Sequence, residues 1–71
     1  MLEVGDVVDY KGREFAVMSV YKGNLCRIAI IRDGSIYHGN NALNYNIVNL
    51  DIKQVTNIKN EDGTNKKYVF S

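Results

Sequence analysis

The 71-residue sequence predicts one small all-β domain, a strongly bent antiparallel barrel of five or six short strands spanning residues 1–71. Two observations carry this. Turn pairs containing glycine (Lys11-Gly12, Gly23-Asn24, Asp33-Gly34 and Asp62-Gly63) separate short apolar runs, and evenly spaced turns of this kind mark antiparallel sandwiches and barrels. The runs between them are rich in β-branched and aromatic residues, and no stretch has the periodicity of a helix of ordinary length.

Val4 to Tyr10 alternates imperfectly and reads as the first strand. Glu14 to Tyr21 is the second (Glu-Phe-Ala-Val-Met-Ser-Val-Tyr). Leu25 to Ile31 is apolar except at Arg27, as suits a central strand covered on much of both faces. Asp-Gly favours the type I′ turn, which needs positive φ at both central residues. A two-residue loop at Asp33-Gly34 then sets Arg32 against Ser35, Ile31 against Ile36, Ile30 against Tyr37 and Ala29 against His38. Residues 39–46 are too polar for a buried strand, and an Asn-rich loop with at most one helical turn around Ala42 to Tyr45 is expected. Ile47-Val48 resumes an extended form. Leu50 to Gln54 is expected to form a 3₁₀ turn, followed by strands at 55–58 and 68–70, the last closing the barrel or lying at an edge.

The segment Val4-Gly5-Asp6-Val7-Val8-Asp9-Tyr10-Lys11-Gly12-Arg13-Glu14-Phe15-Ala16-Val17 resembles the opening hairpin of SH3-like small barrels, including KOW-type and Tudor-type members. These often begin Val-Gly-Asp-x-Val and continue through a Gly-containing turn to an aromatic-x-Val strand. The resemblance spans residues 4–58 and implies an SH3-like barrel. In that arrangement Gly5 turns the chain into the first strand and the Asp6 carboxylate steadies the turn. Val8, Phe15 and Val17 point inward, with Val20 past a bulge. A fold of this kind carries no particular function with it.

Composition excludes several classes. Nine basic residues against eight acidic give a net charge of +1, so no general attraction to nucleic acid or anionic membranes is expected. No apolar run approaches the ~20 residues that span a bilayer, and the N-terminus has neither the basic start nor the apolar stretch of a secretory leader. Cys26, the single cysteine, reads as a small buried hydrophobe. With the absence of Asn-x-Ser/Thr sites, it fits a cytoplasmic setting. The nine asparagines suit turns and an AT-rich genome such as that of a low-GC bacterium or its phage.

No catalytic set emerges. His38 is the only histidine, Cys26 is several pairs away from it in the expected hairpin, and nothing orients the imidazole as a nucleophilic dyad requires. One His and one Cys cannot make an ordinary metal site, the glycines form no phosphate cradle, and no cofactor is expected. Asp6 and Asp9 read as turn and solubility residues, and Lys66-Lys67 as guards of a terminal edge. The expected role is therefore a non-enzymatic protein-interaction module, of the kind a phage or mobile element encodes as an accessory protein to bind a larger host or phage protein. Five tyrosines are many for this length, and Tyr is enriched at interfaces. The expected binding surface combines Tyr21, Tyr37, His38 and Tyr45 with Asn40, Asn41 and Asn44, and Arg27 as an anchor that must emerge at a face or find a partner. The alternatives are a single-stranded nucleic-acid or nucleotide binder, in which tyrosines stack on bases, and a structural subunit whose last strand pairs between copies.

Overall fold

The computed structural model describes residues 2–37 and 47–70. It is a mostly antiparallel β structure with six strands among the described residues: β1 (Val7–Tyr10), β2 (Arg13–Tyr21), β3 (Leu25–Arg32), β4 (Ser35–Ile36), β5 (Ile47–Asp51) and β6 (Thr56–Asn57). The sheet runs β4-β3-β2-β1-β6, with β5 also paired to β3. This hydrogen-bonded path does not close into a ring among the described residues. The Asn-rich loop and the helical turn expected around Ala42 to Tyr45 lie outside those residues, as does His38, the expected partner of Ala29.

The turn chemistry gives the register read from the sequence at Asp33-Gly34 and a matching two-residue loop at Lys11-Gly12. Lys11 and Gly12 both have positive φ (53° and 80°), as do Asp33 and Gly34 (52° and 80°), and each pair makes a two-residue loop. Tyr10 then faces Arg13, Ile31 faces Ile36 and Arg32 faces Ser35, and the Tyr37 N–H donates to the Ile30 carbonyl at 3.0 Å. Opposite Ala29 on that edge stands Ile47 of β5.

Strand β3 is central, flanked by β2 on one edge and by β5 and β4 on the other. Alternation along it sorts side chains to two faces. Cys26, Ile28 and Ile30 join Val8, Phe15, Val17 and Leu50 in the main core, packed round by Leu2, Tyr10, Ile52 and Val55. Ala29 lies on the other face, where it meets Ala16 and Ile36 under Met18, Ile31 and Tyr68. The expected bulge is real: pairing slips between Val17 and Ser19. Val20 emerges opposite Cys26 but remains 42% exposed, because the core ends before the strand does.

The second half departs from the sequence reading in its boundaries. Leu50 and Asp51 belong to β5, and the 3₁₀ turn covers only Ile52–Gln54. The reason is a capping box: the Asp51 carboxylate accepts from the Lys53 N–H at 2.8 Å while Gln54 Oε1 accepts from the Asp51 N–H at 3.3 Å. This reciprocal arrangement starts the turn after Asp51. The next strand shrinks to Thr56–Asn57, beside Asp9 and Val8 of β1. The expected strand at 68–70 is an irregular segment that continues along the same edge of β1. The Val7 N–H donates to the Lys66 carbonyl (2.9 Å), and the Tyr68 N–H donates to the Gly5 carbonyl (2.7 Å). Tyr68 then reaches over the second face, where its hydroxyl accepts the Ile36 N–H at 3.0 Å. Gly5, at φ 93°, lets the backbone bend where it exchanges these bonds, a conformation that L-residues with a Cβ resist.

Asp6 overturns its expected role as a solubility residue. It does steady the turn, accepting the Glu3 N–H at 2.9 Å. It is also fully buried, with Asn57 Nδ2 at 3.0 Å and Lys67 Nζ on its other oxygen. Lys67 also pairs with Glu3 at 2.9 Å, and Lys66 lies 3.6 Å from Glu14. Burial alone would raise the Asp6 carboxyl, but the Lys67 hydrogen bond, the Glu3 N–H, the Asn57 amide and the Lys67 charge together outweigh it. The group is held below its ordinary value of 3.8. Lys67 is raised above 10.5, chiefly by its hydrogen bonds to Asp6 and Glu3.

The signs give a pH window. A depressed carboxyl contributes stability that is present above its unfolded value and is lost as pH falls through the folded one, and a raised lysine loses its contribution as pH climbs through its folded value. Stability is therefore expected to be flat between about pH 5 and 8 and to fall below that range as Asp6 protonates. Above it, stability falls as Cys26, whose thiol burial raises, ionises in the unfolded chain, and then as Lys67 loses its charge. Asp6→Ala strands the Glu3 N–H and the Asn57 amide, and should cost about 3 kcal/mol by chemical denaturation at pH 7. An Asp6→Ala chain as stable as the parent would show that the buried carboxylate does not hold the fold.

Candidate interaction surface

Of the surface residues expected from sequence, Tyr21, Arg27 and Tyr37 are described, whereas His38, Asn40, Asn41, Asn44 and Tyr45 lie outside the described residues. Tyr21 ends β2 opposite Leu25. Arg27 follows two residues along β3, so it shares the face of Leu25, and it is exposed. Tyr37 continues the β4 strand opposite Ile30, toward the other end of β3 and on the opposite face by alternation. Its ring lies under the Arg32 guanidinium, 4.5 Å from the centroid. The structure thus brings Tyr21 to Arg27 and separates both from Tyr37.

The Tyr21 end of the sheet is a ledge. Tyr21 and Leu25, paired across β2 and β3, are 47% and 48% exposed on one face, and Val20, paired with buried Cys26, is 42% exposed on the other. The three-residue connection from Tyr21 to Leu25 turns through Gly23 and Asn24, both at positive φ (77° and 64°). It is tied down from the far side by the Ile52 N–H, which donates to the Asn24 carbonyl at 2.9 Å. The 3₁₀ turn therefore props the hairpin from behind through this bond. Sequence reading missed Leu25, grouping it with the continuous apolar run. The signal was present in the alternation, since Leu25 shares parity with exposed Arg27 and opposes that of buried Cys26 and Ile28.

A second concavity, of about 270 Å³, lies over Val7 between the β3–β4 hairpin and the C-terminal segment, lined by Glu14, Ile31, Gly34, Lys66, Lys67, Tyr68 and Val69. Its lysines are already matched by Glu14, Glu3 and Asp6, so it offers little unspent charge to a ligand. Val4, Val69 and Phe70 are exposed as well, with Phe70 edge-on to Tyr68 at 5.1 Å.

Cys26 is fully buried, as expected for a small core hydrophobe. Burial, and then the Asp51 charge, push its thiol up from 9.0, the reverse of what an active nucleophile needs. No three His, Cys, Asp or Glu side chains are grouped as a metal site among the described residues, and no helix there is long and apolar enough to cross a membrane. A disulfide reagent such as DTNB should modify native Cys26 at least about 100-fold more slowly than the denatured chain, since a buried, un-ionised thiol is inert. Rapid native labelling would contradict the burial.

No protein-family model matches the chain, and neither a curated protein nor a solved structure with significant similarity was found.

Proposed function

We propose that this domain is a non-enzymatic protein-interaction module on an SH3-like barrel, with the β2–β3 hairpin ledge as its docking surface. The observation that carries this reading is the joint exposure of Tyr21 and Leu25, directly paired across β2 and β3 on one face. Single exposed apolar residues are ordinary on any surface, but a cluster beside a polar rim marks a contact site. Tyrosine and arginine are also the residue types that most often anchor interfaces, and Tyr21 and Arg27 stand on the same face. The SH3-like assignment is supported by the strand order. A β1–β2–β3 meander is followed by a 3₁₀ turn that delivers β6 to the free edge of β1. The buried, up-shifted thiol gives the ledge no nucleophile to work with.

The test is capture of a stoichiometric partner from source lysate, read by mass spectrometry, with parent chain and a Tyr21→Ala/Leu25→Ser double variant. Because both side chains are about half exposed, the variant should unfold within about 0.5 kcal/mol of the parent. It should lose the partner, as truncation of interface anchors typically costs about 2 kcal/mol or more each. Equal capture by both chains, or the absence of any stoichiometric protein, would remove the proposal.

A further inference from the structure

The segment after β6 is held to the sheet as a bound peptide would be, by side chains that fill sites built elsewhere in the chain. It runs along the edge of β1, where the Lys66 carbonyl accepts the Val7 N–H and the Tyr68 N–H donates to the Gly5 carbonyl. Lys67 is the cation for Asp6, which has no exposure to water. Tyr68 packs against the Ala16, Ala29 and Ile36 cluster, and its hydroxyl accepts the Ile36 N–H at 3.0 Å. These sites select their occupant. Leaving a buried carboxylate without its cation is strongly destabilising, and an unmet backbone donor adds to the cost. The groove therefore requires a cation followed directly by a residue with a ring for the alanines and an oxygen for Ile36. Lys67-Tyr68 is the one place in the sequence where a basic residue precedes tyrosine.

The link that keeps the segment on its own sheet is, by contrast, exposed. Residues 60–64 form a tight turn in contact with water. It is closed by the Asn60 N–H on the Thr64 carbonyl (2.7 Å), the Gly63 N–H on the Asn60 carbonyl (3.0 Å) and the Thr64 N–H on the Asp62 carboxylate (2.9 Å). Water readily replaces exposed bonds of this kind, so their net contribution is small. Past Tyr68, Val69 and Phe70 make no hydrogen bond among the described residues, and Val69 is 84% exposed, so the segment has a loose end from which to peel. Straightening the turn forfeits exposed bonds, and seating the segment on another copy restores the buried ones. We infer that the groove formed by the β1 edge, Asp6 and the Ala16–Ala29–Ile36 cluster takes the 66–70 segment of a second copy, and that two chains exchange these segments to form a dimer. Exchange of an identical element is a low-cost route to such dimers. This goes beyond the docking proposal and is independent of it, since the segment contributes no residue to the Tyr21–Leu25 ledge.

The experiment uses the intact chain, unfolded in denaturant and refolded at micromolar and at millimolar concentration. Sedimentation should show monomer after the first and a dimer fraction after the second. A refolded mixture of equal parts ¹³C-labelled and unlabelled chains should give isotope-filtered NOEs from the Tyr68 ring of one copy to the Ala16 and Ala29 methyls of the other. The second arm is Gly63→Val. Gly63 stands at φ 87° and no atom lies within 4 Å of a Cβ placed there, so the new side chain meets no clash and penalises only the closed turn. The variant should raise the dimer association constant at least about tenfold, because left-handed strain is relieved in both chains on exchange. Parent and variant that both stay monomeric at millimolar concentration, a dimer fraction unmoved by Gly63→Val, or a dimer whose Tyr68 contacts all lie within one chain would each overturn the inference.

Discussion

A single carboxylate ties together parts of the chain that are remote in sequence. Asp6 receives a backbone donor from Glu3, an amide from Asn57 in β6 and the ammonium of Lys67. Each donor belongs to a different stretch, so one buried group fixes the N-terminal turn, the last strand and the C-terminal segment against β1. A charge with no exposure to water is tolerable only when its oxygens are filled in this way, because an unpaired buried carboxylate is far too costly to keep ionised. The arrangement also explains why a domain this small, which buries a modest share of its surface, devotes a core position to an acid. The acid joins segments that present few apolar side chains of their own.

The second constraint is that the sheet has two faces to cover and, among the described residues, no helix beyond one 3₁₀ turn with which to cover them. The main core fills one face, with Leu2, Tyr10, Ile52 and Val55 packed against it. The opposite face is narrow, since Ala16 and Ala29 stand side by side across β2 and β3, and it is covered by Ile36 and Tyr68. The Tyr68 hydroxyl accepts the backbone N–H of Ile36, satisfying a donor on short strand β4. Cover on this face comes from the C-terminal segment that Lys67 and Asp6 hold in place. The ledge at Tyr21 lies beyond the reach of both covers, and so its apolar side chains stay in contact with water.

That geometry decides how much of the candidate surface could be read from sequence. Tyr21 and Arg27 were legible, one as a tyrosine at a strand end and the other as a charge in an apolar run. Leu25 was missed although its alternation with Cys26 and Ile28 carried the signal, whereas the exposure of Val20 was not legible, because it depends on where the core stops rather than on residue type. The grouping of Tyr21 with Tyr37 failed for a similar reason. Both lie beside turns, but they flank opposite ends and opposite faces of β3, a relation fixed by register.

Local chemistry in the sequence alone determined the all-β class, the turns at Lys11-Gly12 and Asp33-Gly34, and the register that follows from the second. Turn dihedrals and period-two alternation are properties of neighbouring residues, so they can be read without a partner strand. Tertiary structure alone decided that β5 pairs with β3, that Leu50 and Asp51 extend a strand rather than open a 3₁₀ turn, that the chain end follows the edge of β1, and that Asp6 is buried. Each of these depends on contacts between residues far apart in the chain. The physical reason is the same throughout: a long-range hydrogen bond or ion pair leaves no periodic trace at either of its ends.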